Sequence, residues 1–248
     1  MPIQILFDGS VAKHLDAPEA NEDAYRLAPA FGRIILSDGA SESFDAKNWA
    51  ALLIEQFLQK PTHLSEAIKT CTRQYEALYD SQNLSWSKAA AYARGSFCTL
   101  LVAQDEPEQQ QIRITTIGDS FAALTDGEQM LAWTPYESSE QFAIHPTLIS
   151  TKPDLNAPLF DDENGVWTEV IWRYEITGYR ILLCMTDALA AWLLEHQERG
   201  DRTALERLHA IRELKELVSL VEEERTKGSM KRDDTTLIIV ALTGAVHL

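Results

Sequence analysis

The chain has 248 residues, 45% of them hydrophobic, with a formal net charge of −16. This length and apolar content predict one large domain, 1–248, with a substantial core. The acidic excess argues against nucleic-acid binding and against attraction to anionic membranes. No apolar run approaches the roughly 20 residues of a membrane span, and the N-terminus lacks a basic leader. The 3 cysteines show no zinc or disulfide spacing, which favours a reducing cytoplasm.

The first half of the chain alternates short apolar runs with amphipathic stretches. Apolar and β-branched runs predict strands, and a helical apolar stripe predicts helices. Strands are expected at 4–7, 24–27, 32–37 and 95–103, and helices at 46–60, 62–79 and within 81–94. Asp45 is the expected N-cap of the first helix, and Trp86 is interpreted as a core anchor.

The second half begins with strands at 112–117 and 121–124, interpreted as a pair joined by Gly118-Asp119-Ser120. Asp126-Gly127 predicts a hairpin to a strand at 129–133. Further elements are a hairpin of 167–176 with 179–185, a helix at 187–197, one or two helices in 203–227 and a last strand at 235–242.

Segment 135–164 has no sustained period and contains 4 prolines, which cannot sit in central strands. A long irregular segment inside a domain is often functional. We therefore predict a mobile segment outside the sheets, and we interpret His145 as part of this loop and not as a general acid.

Acidic residues recur where the predicted strands begin or end: Glu22-Asp23, Asp38, Asp119, Asp187 and Asp233-Asp234. Each alone is most simply a turn or cap residue. Their repetition predicts that they converge at one edge of packed sheets. Carboxylates that meet there would repel one another unless a cation compensated them, and Mg²⁺ and Mn²⁺ prefer oxygen ligands.

The order of these motifs resembles the type 2C, metal-dependent protein phosphatase family. The resemblance rests on Asn21-Glu22-Asp23, Ser37-Asp38-Gly39, Gly95-Ser96, Gly118-Asp119-Ser120, Thr186-Asp187-Ala188 and Arg232-Asp233-Asp234, and it covers about 21–240. It implies an α+β fold with four αββα layers, in which two antiparallel sheets are flanked by helices. Segment 135–164 lies at the position of the family's flap.

The resemblance also implies two Mn²⁺ or Mg²⁺ ions, with a third and weaker site. Asp38 would bridge the two ions, the Gly39 carbonyl would help to hold one of them, and Asp187 and Asp233 would hold the other.

In the same family pattern, Glu22 and Asp23 would lie beside the ions and hold metal-bound water. Asp119 would serve the third site together with Asp187.

The implied activity is hydrolysis of phosphoserine and phosphothreonine in proteins by a metal-activated water. The implied partners are a phosphorylated protein and a cognate Ser/Thr kinase. Two positions depart from the pattern: Ala40 stands where many eukaryotic members carry a general-acid His, and Pro18 where many carry a phosphate-gripping Arg. Candidate substitutes for that Arg are Lys13, His14, Arg33 and Arg94.

Two other interpretations stay open at this point. One is a catalytically weak or inactive phosphoprotein-binding regulatory module on the same fold. The other is an unrelated sandwich in which the aspartates only cap helices and form turns.

Overall fold

The computed structural model describes residues 3–59, 63–79, 84–160, 167–174 and 180–242. Its helices are α1 (Ala46–Leu58), α2 (Leu64–Glu76), α3 (Trp86–Arg94), α4 (Asp187–Glu198), α5 (Thr203–Ala210) and α6 (Leu214–Lys227). Its strands are β1 (Gln4–Val11), β2 (Ala24–Ala28), β3 (Arg33–Ser37), β4 (Phe97–Cys98), β5 (Leu100–Glu106), β6 (Gln111–Ile117), β7 (Phe121–Thr125), β8 (Met130–Thr134), β9 (Ile149–Ser150), β10 (Trp167–Arg173), β11 (Arg180–Met185) and β12 (Thr235–Leu242).

Two five-stranded antiparallel sheets form the centre of the fold. The first sheet has the order β1-β12-β11-β7-β8, and the second has the order β10-β6-β5-β3-β2. A short pairing of β4 with β9 lies beside them. The central strands β3 and β12 are buried along their whole length, as continuous apolar runs predict for strands covered on both faces.

Alternating side chains of these strands fill three apolar layers. Ile34 and Leu36 of the second sheet meet Leu182 and Ile238 of the first between the sheets. Ile35, which points the other way, belongs to the core under α1 and α2. On the opposite outer face, the first sheet carries α4, α5 and α6. The predicted α+β sandwich of four αββα layers is confirmed.

Two predicted strand pairings are wrong. The strands β6 and β7 lie in different sheets, and Gly118-Asp119-Ser120 is a crossing between them instead of a hairpin. The strands β10 and β11 also lie in different sheets, paired with β6 and with β7 and β12 respectively. Apolar runs mark strands but do not identify their partners. The turn predicted around 177–178 lies outside the described residues.

Other differences are local. The first strand continues to Val11, because β12 pairs with it along its length. The strand predicted at 95–103 is interrupted at Thr99, which separates β4 from β5. Asp45 caps α1 as predicted, accepting a hydrogen bond from the Asn48 N–H. The prediction for Trp86 is wrong: it is 88% exposed in the first turn of α3, a helix with no buried residue.

The described part of the predicted flap lies outside the two large sheets. It contains 3₁₀ helices at Ser139–Ala143 and Pro153–Phe160, with β9 between them. Residues 161–164 fall outside the described residues, and the mobility of the segment stays a prediction. Across the described ranges, no helix is long and apolar enough to cross a bilayer.

Candidate active site

Four of the predicted acidic residues, one from each of four separate motifs, line a single pocket. Its volume is about 400 Å³. Its walls include Asp38, Gly39, Asp119, Asp187 and Asp233. Residues separated by almost 200 positions therefore come together, as their placement at strand ends predicts.

Each of these carboxylates lies within a few residues of the end of a strand. Asp38 follows β3 of the second sheet, while Asp187 opens α4 directly after β11 of the first. Asp233 precedes β12, the neighbour of β11, and Asp119 lies in the crossing from β6 to β7. All four side chains therefore belong to short segments that begin or end directly at a strand.

Thr99 anchors the backbone of Asp38. The Asp38 N–H donates to Thr99 Oγ1 at 2.9 Å, and the Thr99 N–H donates to the Asp38 carbonyl, also at 2.9 Å. Thr99 Oγ1 lies 2.6 Å from Ser120 Oγ, which links this turn to the crossing that carries Asp119. The interruption of the strand at Thr99 therefore serves the site.

Gly39 occupies a position where a side chain has no room. An added Cβ would lie 2.9 Å from the Cβ of Ala46 and 2.9 Å from the carbonyl oxygen of Glu22. The glycine thus allows the start of α1 and the Glu22 backbone to approach the pocket closely.

Asp23 and Glu22 lie beside the pocket and do not line it. Asp23 Oδ2 accepts hydrogen bonds from the hydroxyls of Thr236 at 2.6 Å and Thr186 at 3.2 Å. Asp23 Oδ1 is buried and has no hydrogen-bond partner in the described structure. An orphaned carboxylate oxygen of this kind is costly to bury unless a cation or water compensates it.

The two residues of Asp233-Asp234 have different environments, which the sequence did not indicate. Asp234 accepts backbone N–H groups from Lys13 at 2.6 Å and Glu22 at 2.7 Å. It therefore ties the end of the β1 segment and the start of β2 to β12. Only Asp233 reaches the pocket.

Burial and mutual repulsion disfavour charge on these carboxylates. Burial, followed by the charges of Asp23, Asp187, Asp119 and Asp233, raises the pKa of Asp38 well above its usual range. Burial and the neighbouring carboxylates likewise raise the pKa values of Asp23 and Asp187. A site that holds several carboxylates at neutral pH needs positive charge.

Two lysines supply positive charge at the pocket, and sequence analysis singled out only one of them. Lys231 Nζ lies 2.7 Å from Asp233 Oδ2 and 3.1 Å from Asp187 Oδ2. Lys13 Nζ lies 3.6 Å from Asp233 Oδ1. Burial alone would lower the pKa of Lys231, but these two aspartates raise it above its usual value.

The other candidate phosphate-gripping residues, His14, Arg33 and Arg94, are not among the lining residues. His145 does reach the pocket, as an exposed residue of the loop before β9. Its loop placement agrees with the prediction, but its position at the pocket was not expected.

A titration difference follows from the burial of Asp119, which is 8% exposed. Burial and Asp187 raise the pKa of Asp119 from 3.8 to about 6. Because the folded state holds this proton more tightly than the unfolded chain, Asp119 destabilises the fold increasingly as pH rises from 4 to 7. In chelator, Asp119→Asn should therefore gain stability over wild type across this window, by roughly 3 kcal/mol at pH 7.

Urea unfolding at pH 4, 5, 6 and 7 measures this difference. Groups that do not interact with Asp119 contribute equally to both proteins and cancel, while Asp38, whose pKa Asp119 raises, adds to the difference in the same direction. A difference in unfolding free energy that stays constant with pH would contradict the assignment.

The donor set suits hard divalent cations, although no cation site is already assembled in the described ranges. No group of three His, Cys, Asp or Glu side chains there stands in metal-binding geometry. The available donors are nevertheless of the right chemistry: the carboxylates of Asp38, Asp119, Asp187 and Asp233 and the carbonyl of Gly39 line one pocket. The raised pKa values of Asp38, Asp119 and Asp187 and the orphaned oxygen of Asp23 indicate a site that is short of positive charge.

Comparison with solved structures places this fold among bacterial phosphatases. The serine/threonine phosphatase PstP/Ppp of Mycobacterium tuberculosis superposes with a TM-score of 0.63 at 15% identity, covering 98% of this chain and 100% of that one. Stp1 of Staphylococcus aureus gives 0.60 at 17% identity, covering 98% of each chain. PppA of Pseudomonas aeruginosa, described as a regulatory component of its T6SS, gives 0.57 at 18%, covering 98% and 100%.

No protein-family model matches the chain, and no curated protein does so by sequence. The structural likeness extends over nearly the whole chain at low identity, so it defines the fold. The resemblance to type 2C phosphatases that the acidic motifs indicated is confirmed at that level.

Proposed function

We propose that this protein is a Mn²⁺- or Mg²⁺-dependent phosphatase that hydrolyses phosphoserine and phosphothreonine in proteins. The observation that carries the proposal is the convergence of Asp38, Asp119, Asp187 and Asp233 on one pocket of a phosphatase-like fold. Carboxylates that share one pocket on a rigid sandwich have no evident structural purpose, because the neighbouring negative charges raise the pKa values of Asp38, Asp119 and Asp187.

In this proposal, Asp38 is the ligand shared by two ions, assisted by the Gly39 carbonyl, and Asp187 and Asp233 complete the second position. Asp119 serves a weaker third ion. Divalent cations in such a site neutralise phosphoryl oxygens and make a water molecule nucleophilic near neutral pH.

Glu22 and Asp23 act from behind the pocket. The two threonine hydroxyls on Asp23 Oδ2 hold its carboxylate so that Oδ1 keeps its direction. Burial raises the pKa of Glu22, and so do the charges of Asp234 and Asp233. Oδ1 of Asp23, which has no partner in the described structure, is therefore the oxygen proposed to accept a hydrogen bond from ordered water, with Glu22 beside it.

Lys13 is the best placed of the candidate phosphate-gripping residues. Its backbone is fixed by Asp234, and its ammonium lies at the pocket wall beside Asp233. A lysine offers a point charge and not the bidentate contact of an arginine, so substrate affinity should be modest.

With Ala40 at this position, the chain lacks the histidine that protonates the leaving group in many eukaryotic type 2C phosphatases. A phosphoserine alkoxide needs protonation more than an aryl oxide does, so the chain should favour good leaving groups. Hydrolysis of p-nitrophenyl phosphate should therefore proceed with Mn²⁺ or Mg²⁺ and stop in EDTA, while a phosphoserine peptide should react more slowly. Turnover by the purified chain in each condition tests this, and activity unaffected by EDTA would contradict it.

A second candidate is a phosphoprotein-binding regulatory module without turnover. It is favoured by Ala40 and Pro18 at the two departing positions, and by Lys231, which already neutralises Asp187 and Asp233. Mn²⁺ binding without hydrolysis of either substrate would select this alternative.

The setting proposed for either function is the cytoplasm, with a phosphorylated protein and a cognate Ser/Thr kinase as partners. We also propose that 1–248 forms one domain and that 135–164 is a mobile flap. Its described part brings His145 and Leu148 to the pocket wall, where a phosphopeptide would lie.

A further inference from the structure

Lys231 joins two carboxylates that come from different elements of the site. Its Nζ lies 2.7 Å from Oδ2 of Asp233, which precedes β12, and 3.1 Å from Oδ2 of Asp187, the first residue of α4. Both aspartates are far less exposed than the lysine, whose side chain is 63% exposed. The ammonium group therefore reaches the pocket from the solvent side, at the end of a long flexible side chain.

The remaining oxygens of these two aspartates are already used. Asp187 Oδ1 accepts the backbone N–H of Ala188 at 2.6 Å. Asp233 Oδ1 accepts the N–H of Asp234 at 3.1 Å, with Lys13 Nζ 3.6 Å away. In each carboxylate, the oxygen not held by backbone is the one that contacts Lys231.

A divalent cation held by Asp187 and Asp233 would compete for these same two oxygens, because the other oxygen of each carboxylate already accepts a backbone N–H. An ammonium and a metal ion repel each other and cannot share them. Because Lys231 is mostly exposed, it can leave the pocket without disturbing the core, but its tether keeps it nearby.

From this geometry we infer that Lys231 is a built-in competitor of the divalent cation at Asp187 and Asp233, and that it sets the metal affinity of this position. The inference rests on the proposed metal-dependent function. It predicts that a cation reaches these aspartates only by displacing the ammonium. Asp38 and Asp119 have no hydrogen bond or ion pair to Lys231 in the described structure, and the Lys231 charge reaches Asp119 only at longer range, so the competition should be strongest at Asp187 and Asp233.

The alternative is that Lys231 forms an ordinary surface ion pair that has no effect on the binding of a divalent cation. Isosteric replacement by methionine separates the two, because it removes the charge and keeps most of the apolar stem. Lys231→Arg keeps the charge. Lys69→Met is the matched control, since Lys69 pairs with Glu66 on the exposed face of α2.

Calorimetric Mn²⁺ titration is the first measurement. Lys231→Met should bind the cation at this position about tenfold more tightly than wild type, the scale expected for removing one partly screened charge. Lys231→Arg and Lys69→Met should stay within about twofold of wild type. Unchanged or weaker Mn²⁺ binding by Lys231→Met would overturn the inference.

Thermal unfolding provides a second readout that does not depend on activity. In EDTA, Lys231→Met should melt below wild type, because Asp187 and Asp233 lose their counter-charge. Saturating Mn²⁺ should remove this deficit, so the variant gains more from the ion than wild type does. A deficit of the same size with and without Mn²⁺ would mean that Lys231 has only a structural role.

Failure of this inference differs from failure of the proposed function. If both proteins bind Mn²⁺ equally and hydrolyse p-nitrophenyl phosphate, the function stands and the competition is refuted. If only Lys231→Met binds Mn²⁺, the competition is supported and the wild-type chain is not a Mn²⁺ enzyme. If neither binds, both proposals are contradicted.

Discussion

Hydrolysis should be lost when Asp38 is replaced by alanine, by at least about 1,000-fold in turnover of p-nitrophenyl phosphate. Asp38 is the carboxylate whose pKa is raised by all four of Asp23, Asp187, Asp119 and Asp233, so it lies at the electrostatic centre of the site. Removing it takes away the ligand proposed to be shared by two ions. None of the other carboxylates can replace it, because strand ends and backbone bonds hold them where they are.

The same change should not destabilise the protein when metal is absent. Asp38 destabilises the metal-free fold by repulsion, so Asp38→Ala in EDTA should unfold at the same or higher urea concentration than wild type. Glu66→Ala, an exposed change on α2, controls for removal of a carboxylate. Residual turnover above one per cent of wild type, with the fold intact, would contradict the central role of Asp38.

Replacing Arg225 by methionine should lower the free energy of unfolding by about 3 kcal/mol. The Arg225 side chain is 1% exposed, and it connects α6 to both segments that frame the pocket. It donates to the carbonyl of Ala12 at 3.1 Å, to the carbonyl of Asp233 and to Thr235 Oγ1 at 3.2 Å. Methionine can fill the space but removes the donor to the Ala12 carbonyl and leaves the Asp233 carbonyl with only the Thr235 hydroxyl at 3.0 Å.

Because Asp233 is held through its carbonyl, Arg225→Met should also reduce turnover, by loosening the carboxylate without touching substrate. Urea unfolding gives the stability change, and Mn²⁺ affinity measured on the folded variant gives the loss of positioning. Arg199→Met is the control, because Arg199, the residue after α4, is 64% exposed and forms a surface ion pair with Glu195, so the change should alter stability by less than about 0.5 kcal/mol. A stability loss of similar size for both variants would refute the network assigned to Arg225.

The acidic residues of the site could be predicted where the residues next to them in the sequence indicate the end of a strand. Asp38 and Asp187 follow apolar runs, and small residues follow both, so their placement at strand ends could be inferred locally. Lys231 has no such mark, because its role depends on α4 and β12 approaching each other in space. The separation of Asp233 from Asp234 likewise depends on where the β1 segment lies.

The fold class was predictable for a similar reason, while the pairing of strands was not. Alternation in Ile34-Ile35-Leu36 reveals a strand buried on both faces but carries no information about its neighbour. For β6 and β7 the crossing was hidden by Gly118-Asp119-Ser120, which also has the composition of a tight turn. Trp86 was misplaced because an aromatic residue before an alanine-rich helix does not reveal whether that helix is covered.

The carboxylates of the pocket belong to two separately hydrogen-bonded sheets. Asp38 extends from the second sheet, and Asp187 and Asp233 extend from the first. Hydrogen bonds such as those of Thr99 with Ser120 and of Asp23 with Thr236 join these ends of the two layers, but the carboxylates that face each other across the pocket repel one another. A ligand that bridges Asp38 to Asp187 would therefore also cross-link the two sheets and resist sliding of one over the other. Conversely, a partner that displaces one sheet relative to the other would change the distances between these carboxylates. The rigidity of the sandwich therefore determines the geometry of the pocket.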